Sequence, residues 1–317
     1  MGKAFGFFKK NILLIIVLLL ALVPVAGVPS YQFYIIERGL QNAIIVLSLV
    51  ILLGYTGLLS LGHAGLLAVG AYTFGILTVT YGINPWIALM VAPVVAAALG
   101  ALLGIPSFKL SGPFLVVTTI AFGEIVRILI LNWEKLTGGP YGLGGIKSVI
   151  PSAKGMYYFL LVLVFLVSVA TMRLSKSRIG LAFKAIKEDE VAAEVMGVNV
   201  RRYKLLAFTI SSFMAGLSGA LFACLTNYLN PDSFTFAESA TYLLMVVLGG
   251  MANVVGAVAS ALGVTALPEV LRFMVRSRMV VYSLVLLLVI RYSKSLNMKT
   301  LRKVLGKPEG STLGGGE

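Results

Sequence analysis

The sequence predicts an all-α polytopic membrane bundle of about ten spans, within a range of eight to ten, interrupted by one long polar loop on the cytoplasmic side. Three observations predict it. First, 59% of the 317 residues are apolar and only 12% are charged. Soluble domains carry roughly 25% charged residues, so most of this chain is not built to face water. Second, the apolar residues fall in runs close to the ~20 that one helical crossing needs. Third, seventeen of the 26 basic residues sit in three places: ahead of the first run, in the stretch Arg173–Lys204, and behind the last run. A net charge of +14 distributed in this way follows the positive-inside pattern. It does not mark a nucleic-acid-binding face, and lipid is the expected surrounding.

Taken in order, Lys3, Lys9 and Lys10 precede the run Asn11–Val28, which reads as an uncleaved first helix rather than a secretory signal. Gly39–Leu53 and Leu58–Thr80 are the second and third spans, separated by Gly54-Tyr55-Thr56-Gly57. Pro85–Ile105 and Pro113–Leu131 are the fourth and fifth. A glycine-rich external segment, Asn132–Gly155, leads to the sixth span, Met156–Met172, and Leu205–Tyr228 is the seventh. Ala237–Pro268 is too long for one crossing and is broken at Gly249-Gly250 and Gly256. It reads as two short helices, or as one span plus a re-entrant element. Met279–Ile290 precedes a basic tail.

Residues 1–292 are therefore expected to form the transmembrane domain, with 173–204 as its cytoplasmic loop, and 293–317 a disordered basic tail. A cytoplasmic N-terminus and six spans return Arg173–Lys204 to the cytoplasm. Two helices in 237–268 then make ten spans with an internal tail, at the cost of leaving Arg272, Arg276 and Arg278 outside.

The polar stretch carries eight basic and four acidic residues. One continuous helix is expected over Leu181–Met196, which holds good helix formers and no proline. Gly197 follows as its stop. Leu181, Ala185, Ala192 and Met196 recur at spacings that share one face, with Ile186 and Ala193 beside it. Glu188, Asp189 and Glu190 fall mid-helix, so simple capping is not their expected role. A small-faced amphipathic helix suits a groove on a partner protein. An ordinary loop that merely obeys the charge rule is the other reading.

Few polar residues lie within the apolar runs. His63, the only histidine, opens one of them; it is either a packing residue bonded to a neighbouring helix or a pathway residue. Glu124 and Arg127 are three apart and share a helix face, as a structural pair or as a contact for a zwitterionic solute. Asn253 falls in the glycine-broken segment, where opened backbone can bind ligands or where its amide simply bonds a neighbouring carbonyl. Gly54, Gly57, Gly62, Gly65 and Gly70, with Ala64 and Ala68, make a small-residue surface for close helix approach. Cys224 is alone and reads as packing. One histidine and one distant cysteine give no metal site, and no G-x-x-x-x-G-K-[ST] phosphate loop is present.

Glu190-Val-Ala-Ala-Glu-Val-Met-Gly197 resembles the EAA---G motif of permeases in ABC importers. The wider string SRIGLAFKAIKEDEVAAEVMGVNVRRYKLLAF is similar to the version found in permeases for branched-chain amino acids. Also similar are Gly54-Tyr-Thr-Gly-Leu-Leu-Ser-Leu-Gly-His-Ala-Gly65 with Ala68-Val-Gly-Ala-Tyr72, the block Gly112–Arg127, TGGPYGLGGI and Met245-Val-Val-Leu-Gly-Gly-Met251. These blocks cover most of residues 40–275 in order and match the LivM-type half rather than its LivH-type sister. The family's small residue and proline after Leu-Gly-Gly-Met are replaced here by Ala252-Asn253-Val254-Val255-Gly256.

The resemblance implies a permease subunit in a prokaryotic plasma (inner) membrane, without cofactor or ATPase site of its own. It implies import of branched-chain or other small hydrophobic amino acids. The implied partners are a LivH-type permease, two ATP-binding subunits and an external substrate-binding protein. Ala185, Glu190, Ala192, Ala193, Glu194 and Gly197 would couple to the ATPase. His63, Glu124, Arg127 and Asn253 remain the pathway candidates. An ion-coupled secondary transporter is the alternative, and it would need intramembrane carboxylates, of which Glu124 is the only clear one.

Overall fold

The computed structural model describes residues 30–105 and 112–270. The expected first and last runs, the basic tail and Arg272, Arg276 and Arg278 lie outside them. Among the described residues, ten α-helices of six residues or more carry the architecture. They are α1 (Ser30–Leu49, continued by a π-helical turn Val50–Tyr55), α2 (His63–Val79), α3 (Pro85–Gly104), α4 (Pro113–Asn132), α5 (Ala153–Lys176), α6 (Arg178–Glu188), α7 (Glu190–Val195), α8 (Val200–Thr226), α9 (Phe236–Gly249) and α10 (Val254–Val270). Two short strands, β1 (Leu143–Gly144) and β2 (Tyr228–Leu229), pair antiparallel with Leu143 opposite Leu229.

Among the described residues, five helices are long and apolar enough to cross a membrane: α1 with its π turn, α3, α4, α5 and α8. Helices α2, α9 and α10 are apolar but shorter.

The core gathers on α1 and α8. In α1, 83% of the most apolar window is buried inside the protein, against 28% in α4; α1 is thus central and α4 peripheral. Helix α1 packs on α10, α8, α5 and α9, while α8 lies along α3 and α2. Small residues set the spacing where α8 meets α2 and α3. A Cβ on Gly216 would stand 3.1 Å from the Pro93 Cα, and one on Gly70 would stand 2.7 Å from the Gly216 carbonyl carbon. Backbones approach this closely only where side chains are absent.

Several boundaries differ from the sequence expectation, each for a physical reason. Helix α1 starts at Ser30, not Gly39. The added turns carry two charged residues into the bundle: the Arg38 guanidinium lies 4.2 Å from the centre of the Phe222 ring and bonds Gln41 at 2.8 Å, and Glu37 is buried. Helix α2 starts at His63, not Leu58, because Gly57 takes φ +76° and the chain breaks there. The expected single helix over Leu181–Met196 is two helices, α6 and α7, broken at Asp189. The segment 237–268 is indeed two helices, α9 and α10, folded back at Gly250 with φ +90°.

These breaks put α2 at an unusual depth. The His63 ring reaches Ser211, eleven residues into α8, or roughly 16 Å at 1.5 Å per residue. Helix α2 therefore begins inside the bundle rather than at its end. Gly54, Lys187 and Met251 meet at one end of the bundle; Gly75, Leu143 and Leu229 meet at the other.

Candidate functional site

The polar stretch folds as the pair α6–α7 because three short polar side chains cap it. Ser177 accepts from the Gly180 N–H at 3.2 Å and starts α6. Asp189, extended at φ −159°, accepts from the Val191 and Ala192 N–H groups at 2.8 and 3.0 Å and starts α7. The capping role denied to this acidic run by a continuous helix is thus the one Asp189 performs, since a carboxylate satisfies N-terminal amides and complements the helix dipole. At the far end Gly197, at φ +85°, donates to the Glu194 carbonyl and Val198 donates to Ala193, both at 3.0 Å. This is a Schellman closure, which a left-handed glycine permits without strain. Asn199 then accepts from the Arg202 N–H at 3.1 Å and starts α8.

The inner face of the pair is apolar and anchored. Ala182, Phe183 and Ile186 are buried, and Phe183 meets Tyr203 edge-on with ring centroids 6.2 Å apart. Ala193 is buried beneath α7, and Ala185 is half-buried. Two lysines tie the pair to the bundle. Lys204, whose side chain is 2% exposed, donates to Glu190 at 2.7 Å, while the Glu190 side chain is 45% exposed. Lys187 donates to the Gly54 carbonyl at 2.7 Å. Burial pulls the Lys187 ammonium below the ordinary lysine range, and Glu188 partly offsets the shift.

The outer face carries Ala192, Glu194 and Gly197 together with three large apolar residues: Val191, 73% exposed, Val195, 82%, and Met196, 83%. Leu181 is exposed too. The break at Asp189 means that Leu181 and Met196 do not share one continuous helix face.

The residues within the bundle separate into three local arrangements. The His63 ring is fully buried, with Nδ1 3.0 Å from the Ser60 hydroxyl and Nε2 2.9 Å from the Ser211 hydroxyl. Ser211 spends its one hydroxyl proton on the Ser48 carbonyl at 2.9 Å. It can therefore only accept from the ring, which places a proton on Nε2. Arg127 donates from Nε to Glu124 at 2.9 Å, and its Nη1 lies 3.7 Å from Asp232. Glu124 alone of the pair borders a narrow cleft between the N-termini of α2 and α9, lined also by Ala64, Gly123, Thr235 and Ser239 and too tight to admit a water molecule. Asn253 sits in the α9–α10 turn and accepts from the Gly256 N–H at 3.2 Å, a helix cap. Glu124 and Arg127 are thus together; His63 and Asn253 are bonded elsewhere.

The glycines of the small-residue surface serve five different neighbours. Gly54 abuts Met251, Gly57 abuts Lys187, Gly62 abuts Thr119, Gly65 abuts Gly123 and Gly70 abuts Gly216. Among the described residues, no group of three or more histidine, cysteine or acidic side chains is placed to hold a metal.

Lys187 and Lys204 were not singled out from the sequence. Nothing in the spacing links Glu190 to a residue fourteen positions on, or Lys187 to a carbonyl 133 positions back. The Asp189 cap was legible as an Asp followed directly by helix formers.

Apolar helices at membrane length, two of them joined by a capped polar helical pair, define a multi-pass membrane protein of the permease class. The chain belongs to the branched-chain amino acid transport system / permease component family, whose model matches residues 32–290. It is 37% identical over 293 residues to the high-affinity branched-chain amino acid transport system permease protein LivM of Escherichia coli, covering 83% of this chain and 69% of that protein. It is 39% identical over 258 residues to LivM of Salmonella typhimurium, covering 72% and 61%. The probable LivM of Methanocaldococcus jannaschii is 25% identical over 250 residues, covering 66% and 72%. The matched stretches thus span about three-fifths to seven-tenths of these relatives. No solved structure matches the chain.

Proposed function

We propose that the chain is the permease subunit of an ATP-driven importer that moves branched-chain or other small hydrophobic amino acids inward. On this reading it pairs with a second, LivH-type permease, two ATP-binding subunits dock from the cytoplasm, and an external binding protein delivers the solute. The bundle has ten spans in a prokaryotic inner membrane, the N-terminus is cytoplasmic, and α6–α7 is the coupling element. ATP is hydrolysed by the partners. ATP binding favours one arrangement of the ATPases, and the docked helices bias the bundle through differential affinity for its two states.

One observation carries the reading. Val191, Val195 and Met196 stand 73%, 82% and 83% exposed on a short helix set among charged residues. Burying such side chains against a partner is worth about 1.5–3 kcal/mol each when complete, whereas leaving them in water gains nothing. Clustered exposed apolar residues with a polar rim mark an interaction surface.

The test is uptake of radiolabelled leucine into vesicles holding the two permeases, with ATPases and binding protein added. The reading requires uptake that depends on ATP and on the ATPases. Uptake driven by a sodium or proton gradient without ATPases would refute it and favour the ion-coupled alternative.

A further inference from the structure

Helix α1 ends in a π-helical turn, Val50–Tyr55, all of whose residues are buried. Turns of this kind are rare and concentrate at functional positions. The end of any helix leaves carbonyls that need partners, and here they can be followed one by one. The Ile51 carbonyl accepts from the Thr56 hydroxyl at 3.0 Å. The Leu52 carbonyl accepts from the Leu58 N–H at 3.0 Å, and the Leu53 carbonyl from the Gly57 N–H at 3.2 Å. These three bonds are local. The Gly54 carbonyl takes its proton from another element, the Lys187 ammonium of α6, at 2.7 Å.

The surroundings of that bond are close-fitting on both sides. A Cβ on Gly57 would stand 3.1 Å from the Lys187 Cγ and 3.5 Å from its Cβ, so the lysine stem lies directly on the break. A Cβ on Gly54 would stand 2.9 Å from the Met251 carbonyl carbon, in the turn between α9 and α10. Lys184, one turn earlier on α6, bonds the Ser175 carbonyl at 2.8 Å and lies 5.9 Å from the centre of the Tyr55 ring. The interrupted end of α1 is therefore held between the polar helical pair and the fold-back of α9 and α10. Beyond it the chain passes through Gly57–Gly62 to α2, which starts inside the bundle.

We propose that Lys187 is a positioning residue for transport, and that its bond to the Gly54 carbonyl is the contact through which movement of α6–α7 reaches the break between α1 and α2 and the α9–α10 turn. This rests on the coupling role proposed above for α6–α7. Energy passes between distant sites through contiguous bonded elements with discrete arrangements, and a charge-assisted bond to a helix-end carbonyl is a stiff, directional link.

The test measures transport per ATP hydrolysed in the reconstituted complex. Lys187→Met keeps the stem and removes the donor. The expected result is ATPase assembly and basal hydrolysis within about twofold of wild type, and transport per ATP down about tenfold, the worth of one charge-assisted bond. Lys187→Arg, which keeps a donor, restores at least half. Unchanged transport per ATP in Lys187→Met overturns the proposal, and so does a loss that Lys187→Arg does not restore. Should Lys187→Met fail to assemble, Lys187→Gln, which keeps a neutral donor on a shorter stem, takes its place: transport per ATP down at least about threefold with hydrolysis unchanged is expected, and unchanged transport per ATP overturns the proposal. The wild-type control separates the two readings. Absence of ATP-driven uptake in the wild type overturns the coupling role itself, whereas an intact wild type with an unaffected variant overturns only the part given to Lys187.

Discussion

Replacing Glu190 by Gln should loosen α7 far more than replacing Lys204 by Met, although both break the same ion pair. The two partners differ in exposure: the Lys204 side chain is 2% exposed and the Glu190 side chain 45%, with 2.7 Å between nitrogen and oxygen. Glu190→Gln strands an ammonium where water scarcely reaches. A fully buried pair broken in this way costs about 3–5 kcal/mol, and the half-exposed glutamate end lowers that to about 2 kcal/mol. Lys204→Met removes the buried charge, nearly conserves volume and leaves a carboxylate that water can solvate, at a cost below about 1 kcal/mol. Amide hydrogen exchange over Val191–Gly197 reads the difference. At 1.4 kcal/mol per tenfold, exchange should rise about 30-fold in Glu190→Gln and less than about fivefold in Lys204→Met. The double variant should fall back toward Lys204→Met, since the stranded charge is gone. Equal acceleration in the two single variants, or none in either, would refute the reasoning.

Three further predictions concern the bundle. Gly70→Ala drives a methyl against the Gly216 backbone and should destabilise the chain by about 1–3 kcal/mol, seen as a lower apparent Tm in detergent. Gly263→Ala, with nothing within 4 Å of its Cβ position, should leave Tm unchanged or slightly raised. His63→Ala removes a fully buried ring and strands the hydroxyl of Ser60 and the oxygen of Ser211; it should cost about 3 kcal/mol, with Tm and folded yield falling as steeply as transport.

The membrane helices were legible in the sequence because lipid imposes one rule on every crossing: about twenty apolar residues with the backbone satisfied internally. Pro85–Gly104 and Pro113–Asn132 follow the expected runs to within a residue. The first turns of α1, ahead of Gly39, were missed; there tertiary contacts hold Arg38 on the Phe222 ring. Propensity misled at Asp189, where its carboxylate pays two amide hydrogen bonds to a new helix in exchange for breaking the old one. Of the residues expected to couple to a partner, Ala192, Glu194 and Gly197 lie on the outer face. Ala193 is buried, and Glu190 turns its carboxylate toward Lys204. Contacts that join distant parts of the chain, Lys187 to Gly54 and His63 to Ser211, leave no periodic trace in a sequence and needed the fold to reveal them.

The central claim is that the outer face of α7 docks an ATPase, and thiol crosslinking tests it most directly. Val195→Cys places a reactive group at an 82% exposed position, while the native Cys224 is buried and shielded from reagent. In the assembled transporter a short bifunctional thiol reagent should join Val195→Cys to an ATPase subunit, with a yield that changes when ATP binds. Lys147→Cys, exposed near the opposite end of the bundle, should give no such product. An ATPase crosslink from Lys147→Cys and none from Val195→Cys would contradict the account.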